Sequence, residues 1–600
     1  MEKLPRWEMS TIYPGELNSG ELAADLAALA STMDEIERHR TQGLTAASTI
    51  TPPAELARLL DRSVDLFNRA NLLSANLEAY VDCIVATDSY NTAAATKQSE
   101  VEIAQVRLRQ EWIRFQGWIR SLAEALPRAL ERAGSAQAHA FLLREAEAQA
   151  AYLMSEPEEM LAAELSLPGA NGWSKLQRTI SSQITVAFEV DGATQRLPMP
   201  ALINLRTHPE EAVRRRAHEA EMREWEKVRE PLAACMNGVK GAAMALNRRR
   251  GRTDCLHAPI DQSRIDRTTL DALLAAMKDS EPVFTRYFRA KAARLGKERL
   301  AWWDLFTPSG KTGRAIGWDQ ARETILSTFA SFSEELRTFA RRAFDERWID
   351  AEPRDGKRGG AFCSSMPRVK ESRVLCNYDG TLEQLSTVAH ELGHAFHNEC
   401  AYQAGKTELQ QVTPMTLAET ASIMCETIVN DAVLASAPDS QEELAILENM
   451  LVNDSQVIVD IHSRFLFEKE VMERRAHAEL SADELCAAME RAQEAAYGDG
   501  LDPRFRHRYM WTWKPHYYDA NLNFYNFPYA FGLLFGTGLY AIYRQRGAAF
   551  VKDYLRLLES TGEANAADLA ARFGIDIRSR AFWDRSIGVI ASRVDRYCAL

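Results

Sequence analysis

Apolar residues recur at three- and four-residue spacing over long stretches of this chain, as in LDRSVDLFNRANLLSANLEAYVDCIV at 60–85. That period belongs to amphipathic helix. Tracts rich in Ala, Leu, Glu and Arg repeat it, whereas Val, Ile and Thr gather in strand-like runs only near 183–198 and 361–378. A mainly α fold is therefore expected, and 600 residues are enough for several domains. We place a boundary near 200, with an N-terminal helical domain over 1–200 and a second domain over 201–600.

Local signals punctuate the pattern. Pro52 and Pro53 suit a helix start. Residues 166–200 read as more extended, opening on the turn-rich LPGANGW. THPEEAVRRRAHEAEM from 207 restarts helix, with Thr207 as N-cap. TPSGKTGRAIG at 307–317 reads as a turn. The glycine-rich segment 352–380 reads as a flexible loop followed by a short hairpin, directly ahead of a histidine-rich helix.

The net charge of -12 argues against a nucleic-acid protein, which needs a dominant basic surface. The basic runs VRRRAH (213–218) and NRRRGR (247–252) sit in helical pattern among acidic residues, as solvated faces or ion pairs. Nine scattered cysteines without a C-x-x-C pair point to reduced thiols and a cytoplasmic location. The first residues show no apolar signal core. FYNFPYAFGLLFGTGLYAIY (524–543) has the length of a membrane span, but its proline, asparagine, three glycines and four tyrosines fit a buried helix better. No membrane partner is expected, and the oligomeric state is not legible.

The segment STVAHELGHAFHNE (386–399) carries the chemistry. Thr381 with Gln384 forms a capping-box pattern that starts a helix near 382 and runs it to about 398. On that helix His390 and His394 lie about 40° apart, with Glu391 about 60° from His394. Two imidazoles one turn apart suit one zinc ion, and the glutamate between them suits a general base. Gly393 fits close helix packing equally well. His397 is one turn further, more suited to a supporting or core role than to the metal.

Catalytic zinc takes a third protein ligand and keeps a fourth position open. Glu419, 25 residues after His394, is the better candidate, although Thr416 and Glu419 also form a capping-box pattern. Glu426, seven residues on, could hydrogen-bond a ligand histidine or serve as a buried helix-pairing carboxylate. Gly359 and Gly360, before Ala361 and Phe362, would let backbone approach a substrate. The strand RVLCN (373–377) could present an edge to an extended peptide. Cys363 and Cys376 are read as strand residues.

HELGHAFH, the AETAS that follows, and GKRGGAFC…VLCNYDGTLEQLSTVAHELGH together resemble the zinc metallopeptidases of the thimet oligopeptidase and oligoendopeptidase F family, closer to the latter branch. The resemblance is strongest over 350–430 and looser over 200–590. It implies one Zn²⁺ per chain on His390, His394 and Glu419, with Glu391 as catalytic base. It also implies two helical lobes enclosing a deep channel that admits short unstructured oligopeptides. The family stabilises its tetrahedral intermediate with a histidine and tyrosines near the C-terminus. Here these positions fall on His516, Tyr525 and, with about a one-residue offset, Tyr529, with Tyr517 and Tyr518 competing. The alternatives are a zinc carboxypeptidase, for which Arg504, Arg506 or Arg508 would anchor a terminal carboxylate, and an inactive peptide-binding protein.

Overall fold

The computed structural model describes residues 4–190, 192–307 and 315–600, and it is 70% helical with two small sheets. Most of the turn expected at 307–317 lies outside the described residues. The chain divides into two compact units, one of residues 1–153, 314–432 and 542–574, the other of 154–313, 433–541 and 575–600.

The first unit opens with three long helices, Gly20–Gln42, Pro53–Thr87 and Thr92–Ser121. Ser19 caps the first through the N–H groups of Glu21 and Leu22, and Pro53 starts the second as its pattern predicts. Their apolar stripes bury Leu56, Leu60, Val64, Phe67, Leu77 and Tyr80, and Phe67 meets Trp112 edge-on at 5.0 Å. Met366 and Leu409, far along the chain, complete this core.

A three-stranded sheet lies beside it in sequence order Ile349–Asp350, Phe362–Met366, Glu371–Leu375, with the last strand in the middle. The middle strand runs antiparallel to Phe362–Met366 and parallel to Ile349–Asp350. The expected edge at RVLCN is thereby corrected: Val374 and Cys376 donate to the carbonyls of Trp348 and Asp350, which closes that side. The edge belongs to Phe362–Met366. The histidine helix follows as Leu382–Gln403, capped by Thr381, which accepts from the Gln384 N–H at 3.3 Å. It runs past 398 because Cys400, Ala401 and Tyr402 are still buried.

In the second unit, 166–183 is not extended. A helix, Ala170–Gln183, packs along the long helix Glu211–Arg249, and Trp173 lies so close to Gly238 that a Cβ there would sit 2.5 Å from its ring. The glycine that seats this helix is remote in sequence, so local turn signals misled. Only Thr185–Val190 and Ala193–Pro198 are strands, paired as an antiparallel hairpin. Thr207 belongs to a 3₁₀ turn rather than capping the long helix, whose entry is held by Arg214 donating to the carbonyls of His208 and Pro209. The basic runs make ion pairs: Arg214 with Asp304 at 3.0 Å, Arg215 with Glu219 at 2.9 Å and Arg250 with Glu159 at 2.7 Å.

The uncharged stretch after 524 forms the helix Phe527–Arg546, buried at Phe531, Leu534, Phe535 and Leu539. Among the described residues no helix is long and apolar enough to cross a membrane. All nine cysteines are free.

Candidate metal centre

The histidine helix projects His390 and His394 from one face, their rings 5.0 Å apart and nearly perpendicular. A short helix, Met415–Ala418, and the longer Thr420–Ala435 follow, with Glu419 at the junction between them. The capping alternative for Glu419 falls away, because Pro414 precedes the short helix and Thr416 is fully buried inside it. Glu419 Oε2 lies 3.2 Å from His390 Nε2 and 3.4 Å from His394 Nε2. The three donor atoms all fall within 4.8 Å of one another.

Neighbouring side chains hold this cluster in place. Glu426, from the helix Thr420–Ala435, accepts from His390 Nδ1 at 2.9 Å, which turns the Nε2 lone pair of His390 toward the cluster. Ser422 donates to Glu419 Oε2 at 2.6 Å. Gly393 makes the convergence sterically possible, since a Cβ there would meet the Ala421 carbonyl oxygen and Ser422 Cα at 2.6 Å. Two imidazole nitrogens and one carboxylate oxygen, backed by a carboxylate on one imidazole, fit a zinc site with a position open to substrate.

Charge is strongly coupled here. Burial works against a charged His390, but Glu419 and Glu426 on either side hold its pKa well above the usual histidine range. Burial and the neighbouring His390 bring His394 down to about 4, against the pull of Glu419. Burial pushes Glu419 upward, yet the two histidines and Ser422 outweigh it and lower it to about 2. Glu391 is 7% exposed, and burial, reinforced by Glu419 and Glu426, raises it to about 7.

A cavity of about 580 Å³ opens on these residues, lined also by Ala361, Phe362, Cys363 and Ser365. Gly360 adopts φ +81°, the left-handed region that glycine tolerates, and its carbonyl accepts from Asn377 Nδ2 at 3.0 Å. A Cβ added at Gly359 would project into open space. His397 lines the same cavity but bonds Thr561 Oγ1 at 2.8 Å and stands outside the donor cluster. Thr561 and Ser422 escaped sequence reasoning. Thr561 lies 164 residues from His397 and carries no spacing signal.

The remaining candidates belong to the second compact unit. His516 stacks on Tyr525 at 5.2 Å, and Tyr525 meets Tyr529 edge-on at 5.6 Å. Burial, with Arg464 and Lys514, lowers His516 to about 4, so its ring is neutral near pH 7. Tyr517 and Tyr518 are each 1% exposed. Arg504, Arg506 and Arg508 pair with Asp502, Glu494 and Glu490 at 2.6, 3.4 and 3.6 Å.

Residues 204–589 match peptidase family M3, and residues 122–185 match the oligopeptidase F family. An oligoendopeptidase F homolog of Lactococcus lactis is 27% identical over 326 residues, which are 54% of this chain and 53% of the relative. The chain thus spans about half the length of that curated relative. A crystal structure of a putative peptidase from Chlamydophila abortus superposes with a TM-score of 0.83 at 19% identity, covering 99% of this chain and 98% of the other. The oligoendopeptidase F of Enterococcus faecium superposes at 0.69 with 17% identity, over 96% and 98%. At these identities the structures speak to the fold alone.

Proposed function

From a chain that belongs to peptidase family M3, we infer a zinc-dependent endopeptidase that cuts internal bonds of short unstructured peptides. The observation that carries this reading is the convergence of His390, His394 and Glu419 on one point, with Glu426 behind His390. These three would hold one zinc, which when bound lowers the pKa of water and polarises a carbonyl.

The chain's own groups supply the rest. Glu391, a buried carboxylate that lines the same cavity, would take up and return the proton. The edge strand Phe362–Met366 and the loop at Gly359 and Gly360 offer main-chain groups to an extended peptide, a mode largely indifferent to sequence. Tyr525 and Tyr529, with His516, would donate to the developing oxyanion. A boundary near 200 is supported by the two family matches, which fall on either side of it. The nine free cysteines favour a reducing compartment such as the cytoplasm.

Metal analysis joined to turnover of a quenched-fluorescent peptide blocked at both ends tests the reading. We expect one zinc per chain, cleavage at an internal bond, and loss of both metal and turnover in His394→Ala and Glu419→Ala. Full zinc content in either variant would remove that residue from the ligand set. Release of C-terminal residues only, from unblocked peptides, would favour a carboxypeptidase.

A further inference from the structure

The second compact unit holds another concentration of ionisable and aromatic side chains, around a partly open cavity of about 20 Å³. That is room for one small guest. Arg206, Arg214, Trp303, His507 and Trp513 are among the residues that line it. Each has a buried nitrogen without a hydrogen-bond partner: Nε in the two arginines, Nε1 in the two tryptophans and Nδ1 in His507. Guanidinium and indole nitrogens only donate. Buried donors left unpaired are costly, so four of them around one cavity call for a guest that accepts hydrogen bonds.

Charge points the same way. Arg214 is matched by Asp304, and His507 Nε2 meets Glu221 Oε1 at 2.7 Å. Among the described residues Arg206 has no carboxylate within ion-pair reach, and it lies 3.8 Å over the Phe306 ring. Lys514 likewise has no ion-pair partner among the described residues and lies 3.9 Å over the Trp513 ring. Burial lowers the pKa of Arg206, and burial with Arg464 and Arg206 brings Lys514 down to about 7. Asp460 and Glu221 act on both groups only from beyond ion-pair distance, so Arg206 is held over an aromatic face with no direct counter-ion among the described residues.

A metal cation is the competing guest, because His218, Glu221 and His507 bring donor atoms within 4.8 Å. Yet Glu221 Oε1 already accepts from His507 and from Trp225 Nε1 at 3.0 Å. Arg206 and Lys514 also act on that carboxylate. A divalent ion would leave the arginine and indole donors unpaired.

We propose that this chamber is an anion site that takes a carboxylate group, with Arg206 as its principal cation. A guanidinium fork matches a carboxylate in shape and charge, and the indole N–H groups complete its coordination. The carboxylate could come from a small free ion or from the C-terminus of a peptide. The latter source rests on the peptidase reading above.

Tryptophan fluorescence includes a signal from the chamber through Trp302, Trp303 and Trp513, three of the twelve tryptophans. Acetate would be titrated at constant ionic strength, with neutral acetamide as control. We expect a saturable response to acetate and none to acetamide, with affinity about tenfold or more weaker in Arg206→Met. Arg206→Lys keeps the charge without the fork and should fall between; it also serves if the methionine variant fails to fold. A non-saturating response in the wild-type protein, or unchanged affinity in a folded Arg206 variant, overturns the proposal. Because no peptide is turned over, this outcome is independent of whether the chain is a peptidase. Peptides with free and amidated C-termini then separate the sources. A peptide terminus predicts that amidation raises KM in the wild type but not in Arg206→Met, whereas a free ion predicts no effect of amidation.

Discussion

Gly393 sits where the histidine helix touches the helix that follows Glu419, and any side chain there meets backbone rather than movable atoms. Gly393→Ala should therefore push the two helices apart, costing about 1–3 kcal/mol of stability and spreading the three donors. Thermal unfolding and zinc titration measure both effects; unchanged values would mean that the backbone yields without strain. Glu391→Gln probes the next position. The amide keeps the volume but cannot take a proton, so we expect retained zinc and a fall in kcat on the order of 10²–10⁴. A zinc-loaded variant with near-normal kcat would place the base elsewhere. The one-turn spacing of His390 and His394 was legible because helical period fixes relative direction. The contacts from Ser422 and Thr561 were not, since they depend on how separate elements meet.

At the scale of elements, the segment carrying Tyr525 is anchored by a buried ion pair. Lys240 Nζ lies 2.5 Å from Glu468 Oε1 and donates to Asn523 Oδ1 at 2.9 Å. Glu468 also accepts from the Phe524 N–H at 3.0 Å, and Phe524 adopts φ +55°, an unfavourable conformation for a side chain of its size. Glu468→Gln would leave the Lys240 charge buried and uncompensated, so a loss of about 3–5 kcal/mol is expected. The double variant Lys240→Met/Glu468→Leu removes both charges and should recover much of it. Denaturant midpoints decide the matter, and additive losses would show that the pair is not coupled. No sequence signal links residues 228 apart. The same limit explains RVLCN, because the strand that encloses it is two residues long and leaves no pattern. It also explains 166–183, where glycine and proline outweighed a packing surface supplied by Gly238.

For the whole molecule, the helical class was legible from period, but the interleaving of the two compact units was not, because each draws on three separate segments of the chain. A chain reduced to 201–600 tests what that partition means. Met366 and Leu409, buried in the core of the N-terminal helices, would lose their cover at about 1.5–3 kcal/mol each. Arg373, fully buried, donates to the Glu8 carbonyl at 2.9 Å and to Thr11 Oγ1 at 2.8 Å, and would be left with unpaired nitrogens. The glycine-rich loop is tied to the first 90 residues as well: Arg358 N–H donates to the Ala86 carbonyl at 2.7 Å, and Ser89 N–H to that of Gly356 at 2.9 Å. Phe362, which lines the cavity at the metal centre, packs on the same N-terminal core. We therefore expect 201–600 alone to show no cooperative unfolding transition and no peptide turnover, although it retains His390, His394 and Glu419. Calorimetry, near-UV circular dichroism and zinc binding would read this together. A cooperatively folded, active 201–600 would mean that the N-terminal helices only cover a self-sufficient catalytic domain, and that the edge strand and its loop hold their shape without Ala86 and Ser89.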